Sequence, residues 1–455
     1  MDSNYQENQF IMKKTLLNLF FLFSFFSSSN LFSQNSVTVF DEILFYDGYA
    51  GVVNLPTPPG VIRHRNDLYA KKIELSQIAS FGASMTVNVT IKAACDNYDR
   101  IGNVNIALVP KGAASYDPNT VQRIEIARYI TPFMNKNVSP TEVPYTYQTE
   151  NVIKILKDPA LNALYDFWAE LEVFGVPYAA NTQVAGCAGR NDVFYGSLEF
   201  VSGFGIPTSL PTFLLPLNFK KDLNNYNANA TDVVGQTVRT ITFNLPQAIT
   251  SGKLYLITSN HGANSGGEEY NRRFHYITFD GASVLTYKPG ETTCEPYRIY
   301  NTQPNGIYGS STRTPAQWQS FSNWCPGAKI PIRVITLGNL AAGTHTFKIE
   351  VPDAVFANGE GYFPISVYLQ GLGQSLSTDQ FNINSYSLSP NPATDLITID
   401  SEKEVKNVTV FNMLGQQVLN GNSNKIDLSS VNSGMYLVQI QFENDEVATE
   451  KIIKK

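Results

Sequence analysis

From Met85 to Lys92 the chain reads MTVNVTIK, apolar and polar residues in strict turn. Successive side chains of a strand point to opposite faces, so a two-residue period describes a strand with one face buried. The same period recurs in Val104–Leu108 (VNIAL), Val238–Phe243 (VRTITF), Leu254–Ile257 (LYLI) and Thr346–Val351 (TFKIEV). A chain patterned this way buries its apolar faces by laying sheet on sheet. Composition supports that: 24 Tyr and 28 Phe favour strands, and 31 Gly and 24 Pro supply turns. Long helices would need more Ala, Glu, Lys and Leu at helical period. Residues 152–166 are expected to hold a helical turn or two, broken by Pro159. The fold class is therefore all-β, with antiparallel sandwiches.

At about 100–200 residues per domain, 455 residues predict about three domains. The first spans 38–203 and the second 204–375, joined through the proline-rich stretch 205–217. Residues 376–384 read as a linker and 385–455 as a small β module. A net charge of −6 offers nothing to a nucleic-acid backbone. The four histidines (His64, His261, His275, His345) form no HxH or HxxxH pair, and no CxxC occurs, so no structural zinc or copper site is expected. Met12-Lys13-Lys14, the apolar stretch Leu16–Phe26 and the following serines read as a secretory signal peptide over 12–34, with translation starting at Met12 and cleavage near Ser33 or Gln34. No later segment has about 18 uninterrupted apolar residues, so no membrane span is expected. Export makes disulfides plausible.

The C-terminal module carries Ser389–Pro392 (SPNP), Leu396–Ile399 (LITI), Val408–Gly415 (VTVFNMLG), Ile426–Ser429 (IDLS), Gly434–Ile440 (GMYLVQI) and a closing KIIKK. Turns are expected at Asn420-Gly421 and Ser433-Gly434. These pieces resemble the C-terminal sorting domain of Bacteroidota proteins exported by type IX secretion. The resemblance implies an address that is often removed after export, and it implies the secretion machinery as a partner. The residues alone also fit an adhesive or carbohydrate-binding β module.

Three patches between the strands carry chemistry. Residues 95–100 (CDNYDR) pack two carboxylates, an aromatic and a guanidinium into one loop, which suits sugar recognition and equally suits a solvated turn with a local ion pair. His261–His275 (HGANSGGEEYNRRFH) is a glycine-rich loop that lets backbone approach a ligand. It lacks the G-K-[ST] of a phosphate loop. Tyr300–Gly327 ends in NWCPG. Adding EIARYITPF (125–133), a YRIYN strand (297–301), IPIR (330–333) and GTHTF (343–347), in this order, the set resembles the peptide-N-glycosidase F family over about 38–372.

That resemblance implies two jelly rolls side by side and hydrolysis of the amide between asparagine and the first N-acetylglucosamine, without a cofactor or metal. N-glycosylated peptides or glycoproteins would be the substrates, and the chain is expected to be a monomer. It places the water-activating base on Asp99 and a second carboxylate on Glu269, with Glu268 one step off. A third carboxylate falls on Glu170, with Glu172 as the rival register. Substrate-binding roles fall on Tyr98, Arg100, Glu268, His261 and Trp324. Read alone, His261 and His275 suit loop or core hydrogen bonding, and the glutamates of WAELE (168–172) suit a face toward water. A disulfide Cys294–Cys325 is implied, and Cys95 and Cys187 remain to pair. The chain departs from the family at Phe321 (an arginine there), Ser259 (a tryptophan) and Ala94, near which a local cysteine partner is missing. These departures keep open a non-catalytic glycan-binding protein on the same scaffold. A copper monooxygenase, with a similar jelly-roll pair, would need histidine pairs that the chain lacks.

Overall fold

The computed structural model describes residues 35–203, 212–263, 267–373, 386–401, 403–412, 416–443 and 447–455. The expected export segment 12–34 and the linker 376–384 lie outside these residues. The chain divides into two compact units, one ending at Gln374 and one beginning at Ser375.

In the larger unit, the first sandwich is built from β1 (Asn35–Tyr46), β2 (Val61–Arg65), β3 (Leu68–Lys72), β4 (Ser84–Ala93), β5 (Ile101–Pro110), β6 (Gln122–Ile130), β7 (Glu142–Gln148), β8 (Tyr165–Val173) and β9 (Asp192–Gly203). The second contains β10 (Thr212–Leu223), β11 (Val238–Leu245), β12 (Ile249–Thr258), β13 (His275–Phe279), β14 (Ala282–Tyr287), β15 (Lys329–Ile330), β16 (Arg333–Leu340), β17 (Gly343–Glu350) and β18 (Phe363–Gly373). The sheets run β1-β9-β4-β7 and β15-β6-β5-β8-β3-β2 in the first sandwich, and β10-β18-β12-β16 and β11-β17-β13-β14 in the second. In each sandwich the first strand lies beside the last and an early strand beside the next to last. That closure is the double Greek key of a jelly roll, repeated twice.

Alternation works as the sequence requires in β4, where Met85, Val87, Val89 and Ile91 enter the core and the residues between them stay half-buried. Strand β5 differs: it is buried on both faces. One face joins the first core through Val104, Ile106 and Leu108. The other places Ala107 and Val109 in a small cluster with Ala70 and Trp168, and beside it Phe219 on β10 of the second sandwich lies 4.2 Å beneath the Arg123 guanidinium of β6. Strand β15 of the second half also pairs with β6, Ile330 opposite Arg128, and stitches the two sandwiches together.

Three local expectations change. Residues 212–217 are not connection but the start of β10, where Pro216 is tolerated on an edge strand next to a register shift. Pro159 does more than break a helix. It opens a second one, because Asp158 accepts from Leu161 N at 2.9 Å as its N-cap, so α1 (Leu75–Ser80) and α2 (Glu150–Leu156) are joined by α3 (Pro159–Leu164). YRIYN is no strand: Glu295–Tyr300 is a 3-10 helix with proline in its first turn.

The smaller unit holds a three-stranded and a four-stranded antiparallel sheet around Ile397, Ile399, Val408, Val410, Val438 and Ile440. Asn420 and Gly421 do not turn; they pair with Thr409 and Val408 inside a strand.

Candidate active site

The loop from Ala94 to Arg100 joins β4 to β5 at the seam of the two sandwiches. Its two acids divide the labour. Asp96 is fully buried and organises the loop. It accepts from Arg100 Nε at 2.6 Å, from Val176 N at 2.7 Å and from Tyr98 N at 2.9 Å. Thr131, from the end of EIARYITPF, straps the loop by accepting from Arg100 N at 2.8 Å and donating to Tyr98 O at 3.2 Å. A disulfide ties Cys95 to Cys187, just past α4 (Ala180–Gln183).

Asp99 is left free of those duties. Its Oδ2 is sealed from solvent and meets no partner among the described residues. Burial and the neighbouring Glu269 charge push its carboxyl well above the ordinary aspartate range, and Arg100 offsets only part of that. Arg100 pairs with Asp96, not Asp99. Its guanidinium still lines the pocket, 5.4 Å over the Tyr98 ring.

Glu269 arrives from the loop between β12 and β13. Its Oε2 accepts from Gly262 N at 3.1 Å, and its own N–H donates to Gly262 O at 3.2 Å. Gly262 has a φ of 117°, and a Cβ there would strike Gly361 at 2.5 Å, so only glycine closes this ring. Burial raises the Glu269 carboxyl, and the Tyr270 phenol and Gly262 N–H oppose it. Asn323 of NWCPG donates to the Glu268, Glu269 and Asn271 carbonyls and so fixes the loop. Trp324 donates from Nε1 to Asn260 O at 2.8 Å, and the Cys294–Cys325 disulfide braces this wall.

Tyr98, Asp99, Arg100, Phe133, Glu269 and Tyr270 meet His261 and Trp324 around a pocket of about 230 Å³. Tyr98, Phe133 and Tyr270 continue into a groove of about 470 Å³ lined by the amides Asn97, Gln183, Gln303 and Asn305 and by Arg313 and Phe321. Aromatic faces beside amides and carboxylates are chemistry for sugar rings and their hydroxyls. Tyr98 is 42% exposed, presenting such a face.

Two expected residues are not in this pocket. Glu268 points into the core, where it pairs with Arg273 at 2.8 Å and accepts from Val355 N at 2.8 Å. Of the two, it is Glu269 that lines the pocket. Glu170 sits mid-strand in β8, fully buried, opposite Asn105. Arg123 at 2.6 Å, Tyr116 at 2.7 Å and Asn105 at 3.0 Å occupy its oxygens. Its rival Glu172 is engaged likewise by Arg65 and Lys220, both at 2.7 Å. Neither glutamate faces water: Glu172 meets Lys220 of the second sandwich, and Glu170 is covered by Tyr116 and Arg123 of its own. His275 is a core residue stacked 4.8 Å from Tyr287.

Sequence reasoning passed over Phe133 and Tyr270, although both stand in quoted motifs, Tyr270 directly after Glu269. Gln183, Gln303 and Asn305 carried no local signal, because they reach the groove through folding alone.

Two jelly rolls thus meet at a carboxylate pocket with aromatic walls, which defines a double-sandwich protein. Residues 36–188 match the family described as peptide-N-glycosidase F, N terminal, and residues 225–370 match peptide-N-glycosidase F, C terminal. Together the two span more than half of the chain, which belongs to the peptide-N-glycosidase F family. Residues 387–455 match a secretion system C-terminal sorting domain, which marks the chain for secretion or the cell surface. No curated protein sequence matches. Among solved structures, PNGF-II shares the fold at 19% identity and a TM-score of 0.54, over 75% of this chain and 66% of that one. A peptide-N(4)-(N-acetyl-β-D-glucosaminyl) asparagine amidase matches at 17% identity and 0.49, over 75% and 96%. PNGase F, a glycosylasparaginase from Flavobacterium meningosepticum, matches at 16% and 0.47, over 75% and 96%.

Proposed function

We propose that this chain is a secreted amidase that hydrolyses the asparagine side-chain amide joining N-linked glycans to peptides. The observation that carries this reading is the Asp99 carboxyl, whose Oδ2 meets no partner among the described residues and whose pKa is raised beside Glu269, at a pocket walled by aromatic rings. A general base works best with a pKa drawn toward the working pH. Both burial and a like charge draw Asp99 that way. In the proposed reaction Asp99 takes a proton from water as the oxygen attacks the amide carbon. The C–N bond then breaks, the nitrogen takes up a proton, and asparagine leaves as aspartate with a glycosylamine. Glu269 stands beside Asp99 and raises its basicity. Tyr98 and Trp324 stack on sugar, with Arg100 at its edge, and the groove of amides beyond receives further sugar residues.

The export segment at 12–34 and the sorting domain would route the enzyme through type IX secretion to N-glycoproteins outside the cell. The test is digestion of a denatured N-glycoprotein with the full chain and with Asp99→Asn, read by peptide mass spectrometry at each glycosylated asparagine. Conversion to aspartate by the wild type alone is expected. Glycan binding with asparagine left intact would instead make the protein a lectin on this scaffold, with Phe321 on the groove wall as the first suspect.

A further inference from the structure

Arg128 stands near the end of β6 with its guanidinium fully buried. Nε and Nη2 each donate to Glu125 at 2.7 Å. Nη1 donates to the Pro364 carbonyl at 2.7 Å and to Ser259 Oγ at 3.0 Å. Ser366 donates to the same Glu125 carboxylate. A guanidinium has no lone pair to offer, so Ser259 accepts from it. Ser259 Oγ also lies 2.8 Å from His261 Nε2. Among the described residues that nitrogen is the one acceptor for the serine's own proton. The imidazole therefore accepts at Nε2 and carries its proton on Nδ1.

The ring is also kept neutral. Burial and the Arg128 charge push its pKa down to about 3. Its position is fixed by stacking on Tyr362 at 5.3 Å, by Trp324 at 5.9 Å and by backbone bonds in both directions with Tyr362. Nδ1 meets no partner among the described residues. The ring that bears it lines the pocket with Asp99 and Glu269.

We propose that His261 is a neutral hydrogen-bond donor to the reacting amide oxygen, and that Ser259, held by Arg128, is the positioning residue that locks the donating tautomer. This rests on the amidase reading. As Asp99 deprotonates water and the new C–O bond forms, the carbonyl π electrons move onto oxygen, and Nδ1–H stabilises the charge that develops there. No proton leaves the imidazole. When the C–N bond breaks, the electrons return and the carbonyl re-forms. Neutrality matters: an imidazolium beside Asp99 would pull the carboxylate's pKa down and blunt the base.

The test combines 15N–1H correlation spectra of histidine-labelled full chain with kinetics on a glycopeptide. The wild type should show the Nδ1–H tautomer of His261 at neutral pH, and Ser259→Ala should mix the two tautomers. His261→Phe fills the slot between Tyr362 and Trp324 but should lose about 10²–10³ in kcat, the usual cost of one oxyanion donor. His261→Asn puts an N–H near the Nδ1 position and should recover part of that loss; His261→Gln, which mimics Nε2, should not. An Nε2–H tautomer or an imidazolium in the wild type would overturn the lock. A His261→Phe variant with wild-type kcat would overturn the donor. If the wild type itself leaves asparagine intact, the amidase reading falls and takes the carbonyl acceptor with it, while the spectra still decide the tautomer.

Discussion

Asp99→Asn should abolish turnover and stabilise the fold, and the gain should depend on pH in a defined way. Asp99 Oδ2 is buried without a partner among the described residues, and burial plus Glu269 raise its folded pKa well above 3.8. The unfolded chain gives up that proton near 3.8, whereas the fold keeps it until the higher value is reached. Stability from this group is thus fully present below 3.8 and is lost as pH climbs toward the folded pKa. The loss is about 1.4 kcal/mol per pH unit inside that window. For a unit of this size that is about 2 °C of Tm per pH unit. Asparagine has no proton to lose and escapes the penalty. Scanning calorimetry of the full chain, read on the melting of the sandwich pair, should find variant and wild type diverging above pH 3.8 and running parallel once Asp99 has ionised. Carboxylates other than Glu269, whose charge is coupled to Asp99, titrate in both proteins and cancel in the difference. The kcat should fall by about 10²–10⁴. A constant offset across pH, or an Asn variant that melts lower at neutral pH, would mean that the carboxylate is solvated or paired, and the argument for Asp99 as base would fail.

Glu269→Gln removes a like charge, so the acid limb of kcat/KM should move to lower pH as kcat drops; a limb that stays put would detach Glu269 from Asp99. Glu170→Gln should destabilise by about 3–5 kcal/mol in urea unfolding, because Arg123 keeps a buried charge without its partner. Its kcat/KM per folded molecule should match wild type, whereas a catalytic third carboxylate would show a specific loss. Removing Cys294–Cys325, across a sequence separation of 31, should cost roughly 3–4 kcal/mol, measured by denaturation of the Cys→Ala pair. Activity should weaken with it, since this bridge braces Asn323 and Trp324.

What was legible in the sequence had its partners nearby in the chain. Alternation in β4 reported its own burial, because one face met a core and the other stayed at the surface. The CDNYDR loop declared its chemistry because acid, ring and guanidinium stand within one turn of chain. Even there the ion pair fell on Asp96, since a side chain that must also accept from Val176 and Tyr98 backbone is the one the loop needs for its shape. WAELE misled for the opposite reason. Its alternation correctly placed Glu170 and Glu172 on one face, but Tyr116 and Arg123 cover Glu170 and a strand of the second sandwich reaches Glu172. Lys220 of β10, far along the chain, converts a wet surface into a buried charged seam. The histidine lock follows the same logic. Arg128 lies in one sandwich and Ser259 and His261 border the other, so no spacing rule connects them. Serine at 259, a departure when read along the chain, becomes the link between a buried cation and the pocket once the two sheets meet. Sequence therefore exposed the acids gathered within one loop, and hid the groups that meet only across the seam.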